Sequence, residues 1–237
     1  MKLYVIGSSS KGNGYAIECD NEILLIEAGC PLKAVRQQVD LSKVVGVLIS
    51  HKHGDHAKYK DEYLQRFQVA APREVGGIPI FEGKTQSFGG FRYTPFVVPH
   101  ENNDNTPCPN AGYLIHHDKM GNLLFVTDTY VIPYRISGVN HFMIEANYSD
   151  ELLNKAVESG LTPRNQADRI RLSHFSLENA IRCIEQSGLD DAVSATFIHL
   201  SMRHSNKNKF KEEAMRRLGI TINIAEKGKE FFLCDMT

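Results

Sequence analysis

The chain has 237 residues, 42% of them hydrophobic, and its 27 basic side chains nearly cancel its 28 acidic ones. That length buries a sizeable core and fits one large α/β domain over residues 1–237 better than two small ones. Near-neutrality excludes a global field that gathers polyanions, so any nucleic-acid contact must rest on a local patch.

Met1-Lys2 leads straight into a strand-like segment with no secretory h-region, and no stretch approaches the ~18 apolar residues of a membrane span. The five cysteines, Cys19, Cys30, Cys108, Cys183 and Cys234, are odd in number, widely spaced and form no CxxC. They read as reduced thiols in a cytoplasmic protein with no membrane association.

In chain order, Leu3 to Ile6, Tyr15 to Glu18 and Ile23 to Ile26 read as short strands opening an antiparallel sheet, with a turn-forming loop from Ser8 to Gly14. Pro31 sits where a helix starts, and Leu32, Val35 and Val39 recur at helical spacing. The apolar run Val44 to Ile49 is a strand, Ala57 to Phe67 is expected to be helical, and Phe91 to Val98 returns as a strand. Tyr113 to His116, Leu123 to Val126 and Phe142 to Ile144 are further strands. Ser176 caps a helix whose Leu177, Ala180, Ile181 and Ile184 form one face. Ala195 to Ile198 is a strand, Phe210 to Leu218 an amphipathic helix, and Thr221 to Ile224 with Glu230 to Leu233 a final hairpin turning at Lys227-Gly228.

The strand Val44 to Ile49 feeds His51-Lys52-His53-Gly54-Asp55-His56, four potential metal ligands within six positions. On a helix these side chains scatter around the axis, and on a continuous strand His56 points away from the others. A strand that ends near Ser50 and turns at Gly54, which tolerates left-handed backbone, brings all four to one point. Imidazole and carboxylate together suit zinc, manganese or iron. Three more residues of ligand type stand where strands end: His100, Asp128 and His199. Strand tips on one sheet edge are where a rigid scaffold gathers side chains from distant parts of a sequence, and the seven together suffice for two metals.

The order HxHxDH, then His, Asp and His, each after a strand, resembles the metallo-β-lactamase superfamily, and within it the YycJ-like branch of DNA exonucleases. The loop Gly7 to Gly14 resembles that branch's Ser-Gly-Asn loop and Ile23 to Gly29 its first motif. Phe125 to Thr129, Ile144 to Asn147, Ser173 to Ala180 and His199 to Ser201 follow in the expected order.

The resemblance implies an αββα four-layer sandwich, two mixed β-sheets flanked by helices. It implies that His51, His53 and His100 bind one divalent metal, that Asp55, His56 and His199 bind the other, and that Asp128 bridges both, with Zn²⁺ first and Mn²⁺ or Fe²⁺ as substitutes. A bridging water, ionised, would then attack a phosphodiester. Glu145 and His174 fall where the related ribonuclease Z has a carboxylate and a histidine that orient the phosphate and protonate the leaving oxygen. Ser176, at a helix start, is a further candidate phosphate donor.

The expected substrate is DNA or a nucleotide, cut by an exonuclease, and a homodimer is implied because dimerisation is common in the superfamily. The alternative is a small-molecule hydrolase on the same site, a cyclic-nucleotide phosphodiesterase or a glyoxalase II-like thioesterase, and after it a binding scaffold without catalysis.

Two stretches depart from the pattern. Glu27 stands where the first motif usually has Asp, a residue that braces the histidine loop. Residues Glu101 to Asn110 are longer and more polar than expected beside His100 and are assigned to the substrate entrance. Other readings stand beside these: His174 as a helix cap or core residue, and Glu145 as an orienter of a metal-bound histidine. His116, His117, His141 and His204 read as ordinary polar residues, and Cys108 and Cys183 as unactivated thiols. Arg203, Lys207, Lys209, Lys211, Arg216 and Arg217, interrupted by Glu212 and Glu213, read as a solvated helix face rather than a DNA-facing patch.

Overall fold

Along the first strand, Leu3 and Val5 pack on one face and Tyr4 and Ile6 on the other, and all four are buried. A strand apolar on both faces needs cover on both sides, and this requirement produces four layers. The computed structural model describes residues 1–102 and 104–233; Asn103, within the segment Glu101 to Asn110 read above, and Cys234 lie outside them.

The first sheet holds β1 (Lys2–Gly7), β2 (Gly14–Cys19), β3 (Glu22–Ile26), β4 (Val44–Leu48), β5 (Val69–Ala71), β6 (Ile78–Pro79) and β14 (Glu230–Phe232). Their order is β14-β1-β2-β3-β4-β5-β6. The second holds β7 (Gln86–Phe88), β8 (Phe91–Val98), β9 (Asn110–His117), β10 (Gly121–Val126), β11 (His141–Glu145), β12 (Ser194–Ile198) and β13 (Thr221–Ile224), in the order β13-β12-β11-β10-β9-β8-β7. Both sheets are mixed: β1 to β3 are antiparallel and β3 to β6 parallel, while β7 to β10 are antiparallel and β10 to β13 parallel.

Between the sheets, Leu3, Val5, Tyr15, Ile17, Leu24 and Ile26 meet Phe91, Tyr93, Tyr113, Leu123 and Phe125. The outer face of the first sheet is covered by α1 (Leu32–Arg36), α2 (Gly54–Ala57) and α3 (Lys60–Leu64), through Leu32, Val35, Ala57 and Tyr63. The outer face of the second is covered by α6 (Leu177–Ser187) and α7 (Lys207–Leu218), through Leu177, Ala180, Ile181, Ile184, Phe210, Ala214 and Leu218. The amphipathic spacing read along Leu177 to Ile184 is thus the buried face of α6. α4 (Asp150–Glu158) and α5 (Arg164–Ser173) share a small core of Tyr148, Leu153 and Ala167. Among the described residues no helix is long and apolar enough to cross a membrane.

Two expectations are corrected. Ala57 to Phe67 is not one helix: the Tyr59 amide donates to the Ala28 carbonyl (2.9 Å), which draws the backbone out of helical pairing between α2 and α3. The last two strands form no hairpin. β13 runs parallel to β12 in one sheet and β14 antiparallel to β1 in the other. The segment between them crosses from sheet to sheet, with Ala225 donating to the Phe197 carbonyl (2.9 Å) and Gly228 to that of Val5 (2.8 Å). Each sheet offered an open edge with unpaired backbone groups, and pairing there satisfies more of them than a two-stranded ribbon would.

Candidate metal centre

Strand direction explains why distant residues meet. In the first sheet β1, β3 and β4 run the same way. In the second, β8 is antiparallel to β9 and β9 to β10, so β8 shares the direction of β10, β11 and β12. Their C-terminal ends deliver Ser8, Glu27, His51, His100, Asp128, Glu145 and His199 to one edge. Glu27, Asp128 and His199 turn sharply there, with φ of 68°, 52° and 53°. Left-handed backbone at a residue with a Cβ costs roughly 1–3 kcal/mol, and such strain gathers at functional sites.

The 51–56 segment converges by a different device from the one expected. Gly54 is not left-handed; it opens α2, and His53, extended at φ −60° and ψ 149°, makes the corner. The His53 carbonyl accepts from the amides of His56 (2.9 Å) and Ala57 (2.8 Å). Strand end, corner and one helical turn then aim His51, His53, Asp55 and His56 inward. The glycine that this requires is Gly29, where a Cβ would lie 1.8 Å from the Asp55 carbonyl oxygen.

Seven residues form two groups sharing Asp128: His51, His53, His100 and Asp128, and Asp55, His56, Asp128 and His199. In the first, His51 Nε2 is 3.4 Å from Asp128 Oδ2, and His53 Nδ1 faces His100 Nε2 at 2.9 Å. In the second, Asp128 Oδ2 is 3.1 Å from His56 Nε2, and Asp55 Oδ2 lies 3.3 Å from His56 Nε2 and 3.2 Å from His199 Nε2. A third group joins Asp128 and His199 to Glu145 and His174. His51 Nε2 is buried with no hydrogen-bond partner. A buried nitrogen lone pair without a donor, beside carboxylates and further imidazoles, fits a divalent cation.

The electrostatics divide the histidines. Burial, reinforced by neighbouring His56, holds His51 well below its ordinary pKa, and burial pushes His100 down to about 4. Both are neutral, as ligands must be. Burial alone would depress His56 and His199 as well, but the Asp128 carboxylate beside each reverses this and raises both. Asp55 resists the upward push of burial because His199 and His56 bond to it. A cation can replace the protons that hold these carboxylates together.

Asparagines and one glutamate brace the set. Asn13 donates to the Asp55 carbonyl (3.3 Å) and carboxylate (3.4 Å). Asn110, at the start of β9, donates to the carbonyls of Thr127 (3.0 Å) and Asp128 (2.9 Å), and Asn147 donates to that of His199 (2.8 Å). Ser8 Oγ accepts from the His199 amide (2.9 Å). Glu27 keeps the brace despite its extra methylene: Oε2 accepts from the Ser50 amide at 3.3 Å. Its Oε1 lies 3.3 Å from His56 Nδ1, but the two are not aligned as a hydrogen bond. These bracing roles have no periodic signature; Ser8, Asn13, Glu27 and Asn147 lie inside motifs already noted, whereas Asn110 carries no such signal.

Glu145 is fully buried. Its Oε1 sits 2.7 Å from Nδ1 of both His174 and His199, and its Oε2 accepts from the amides of Asp128 (3.0 Å) and Phe175 (3.2 Å). It does not line the cleft, whereas His174 does. Ser176 is buried, its hydroxyl accepts from the Asn179 amide (3.1 Å), and it too is absent from the cleft wall. The adjoining Leu177 amide donates to the Tyr148 carbonyl (2.8 Å), so it too is engaged within the protein.

The cleft, about 500 Å³, opens over His53, Asp55, His100, Asp128, His174 and His199. Its outer walls carry Gln166, Arg169 and Ser173 from the α5 helix and Ser201, Met202 and Arg203 from the loop after β12. Of the basic residues near the C-terminus, Arg203 lines the cleft; Lys207 pairs with Glu226, and Arg217 with Glu178 and Glu185. Cys183 is unsuited to nucleophilic work, since burial pushes its thiol up to about 12.

Residues 10–113 match the sequence family described as the metallo-beta-lactamase superfamily. Exodeoxyribonuclease YycJ of Bacillus anthracis is 26% identical, over 94% of this chain and 89% of that protein. The metallo-beta-lactamase fold protein YhfI from Bacillus subtilis superposes with a TM-score of 0.72 at 17% identity, covering 98% of this chain and 99% of that one. Human tRNase Z, short form, does so at 0.63 and 13% identity, covering 98% and 99%. The match to that family thus lies in residues 10–113, and nearly the whole chain has the fold of solved metallo-beta-lactamase fold proteins.

Proposed function

We propose that the chain is a dinuclear-metal phosphodiesterase that degrades DNA as an exonuclease, acting as one cytoplasmic domain. The observation that carries this reading is the sharing of Asp128, whose Oδ2 lies 3.4 Å from His51 Nε2 in one ligand group and 3.1 Å from His56 Nε2 in the other. His51, His53 and His100 would hold one cation, Asp55, His56 and His199 the second, and Asp128 both. Two bound divalent cations, zinc first among zinc, manganese and iron, would supply Lewis acidity to the phosphate oxygens and make water acidic enough to attack near neutral pH.

The protein's own groups supply the rest. His174 lies in the cleft wall with Nδ1 on Glu145. Burial works against its charge, but the Glu145 and Asp128 carboxylates overturn that and raise its pKa. An imidazolium so placed can bond a phosphate oxygen and give a proton to the leaving oxygen. Glu145 acts through His174 and His199, as a positioning residue.

The outer walls favour a polymer over a cyclic nucleotide. Arg169, from α5, and Arg203, from the loop after β12, are exposed and line the cleft, and guanidinium groups suit the phosphates that flank a scissile one in a strand. The relative named an exodeoxyribonuclease supports the same substrate. The test is hydrolysis by zinc- and manganese-reconstituted protein of a 5′-phosphorylated DNA oligonucleotide beside a 3′,5′-cyclic nucleotide, with Asp55→Ala as blank. Stepwise shortening of the oligonucleotide is expected. Turnover of the cyclic nucleotide alone would replace the DNA reading with that of a small-nucleotide phosphodiesterase.

A further inference from the structure

The polar loop after His100 folds back onto the ligand groups. Glu101 pairs with Pro107 as an isolated bridge, the Asn102 amide donates to the Thr106 carbonyl at 2.8 Å, and the Cys108 amide to that of His100 at 2.9 Å. Inside this turn the Asn102 side chain makes three contacts. Its Nδ2 lies 2.9 Å from Thr106 Oγ1 and 3.2 Å from the Pro107 carbonyl, and its Oδ1 lies 3.3 Å from His53 Nε2.

The network fixes which way the amide points. Thr106 has one hydroxyl proton, given to Asp104 Oδ1 at 2.6 Å, so toward Asn102 it can only accept. The Pro107 carbonyl can only accept as well. Both therefore demand the NH₂ group of Asn102, which leaves the carbonyl oxygen facing His53. An oxygen that can only accept requires a proton on His53 Nε2. In the neutral ring the lone pair is then on Nδ1, the atom turned toward His100 Nε2 at 2.9 Å, inside the first ligand group.

We infer that Asn102 is a positioning residue that selects the His53 tautomer able to bind a metal, and that the polar loop is built to hold it there. The inference rests on the metal reading above but not on the substrate. Outer groups that orient a ligating histidine are worth about 10–100-fold in metal affinity.

The experiment is zinc titration of the full chain against a competing chelator, for wild type, Asn102→Leu and Asn102→Asp. Leucine removes the acceptor. Aspartate loses both donors to the loop but keeps an oxygen for His53, which separates tautomer selection from loop order. The expected result is that Asn102→Leu weakens one zinc site about 10–100-fold and leaves the other unchanged, with Asn102→Asp within a few-fold of wild type. Wild-type affinity in Asn102→Leu, or equal weakening in both variants, overturns the inference while the metal reading stands. Absence of zinc binding by the wild type overturns both.

Discussion

Oε1 of Glu145 lies 2.7 Å from Nδ1 of His199 and holds His174 at the same distance. A single buried carboxylate oxygen thus orients one residue of a ligand group and His174 of the cleft wall together. Glu145→Gln keeps the shape but offers one neutral oxygen in place of the charge. We expect zinc affinity at the Asp55–His56–His199 group to fall about 10–100-fold, measured by chelator competition. Unchanged affinity would mean that Glu145 does not orient His199.

His174 lines the cleft yet stands apart from the two groups that share the seven proposed ligands. His174→Ala should lower kcat on a DNA oligonucleotide by about 10²–10⁴, the usual worth of a positioned proton donor, while metal content by elemental analysis stays at the wild-type level. Loss of metal in this variant would move His174 among the ligands.

Arg169 and Arg203 test the polymer reading. A charge-assisted hydrogen bond is worth about 1.5–3 kcal/mol, so reversing either charge, as Arg169→Glu or Arg203→Glu, should raise KM for an oligonucleotide about tenfold or more. Hydrolysis of bis(p-nitrophenyl) phosphate, which has no flanking phosphates, should change less than about twofold on the same argument. Equal effects on both substrates would remove the arginines from substrate binding.

Stability should depend on His141, in β11 and outside the ligand groups. Its Nδ1 lies 2.9 Å from Ser194 Oγ, its Nε2 is buried without a partner, and burial lowers its pKa from 6.5 to about 4. The unfolded chain takes up this proton before the folded one does. The contribution is therefore complete above pH 6.5 and is lost as pH falls from 6.5 to about 4, on the order of 3 kcal/mol in all. Urea unfolding of wild type and His141→Gln at pH 7.5 and 4.5 should show the variant gaining on wild type by about 2–3 kcal/mol at the lower pH. A difference that does not move with pH would contradict a neutral buried imidazole.

Much of the site was legible because its residues punctuate strands. His100, Asp128 and His199 each follow an apolar run, and parallel strands that end at one edge gather whatever follows them. The segment from His51 to His56 was legible as a cluster but not as a shape, since its corner is made by His53 rather than by Gly54. Ser176 was read correctly as a cap; its hydroxyl takes the Asn179 amide from a buried position absent from the cleft wall, which does not favour its reading as a phosphate donor. The asparagines at 13, 102, 110 and 147 each bond a partner far away in sequence, Asp55, His53, Thr127 and Asp128, and His199, which no local pattern encodes. β14 was legible as a strand, but its partner depends on which sheet edge is open, a property of the assembled fold.

The central claim is that the seven residues around Asp128 hold two cations. Native mass spectrometry of the zinc-reconstituted chain tests it most directly, with Asp55→Ala and His100→Ala alongside. We predict two zinc ions per wild-type chain and weakened occupancy of one site in each variant, with DNA hydrolysis lost in both. A wild-type chain that takes up one zinc or none, or a variant that keeps both ions and wild-type turnover, would contradict the dinuclear account.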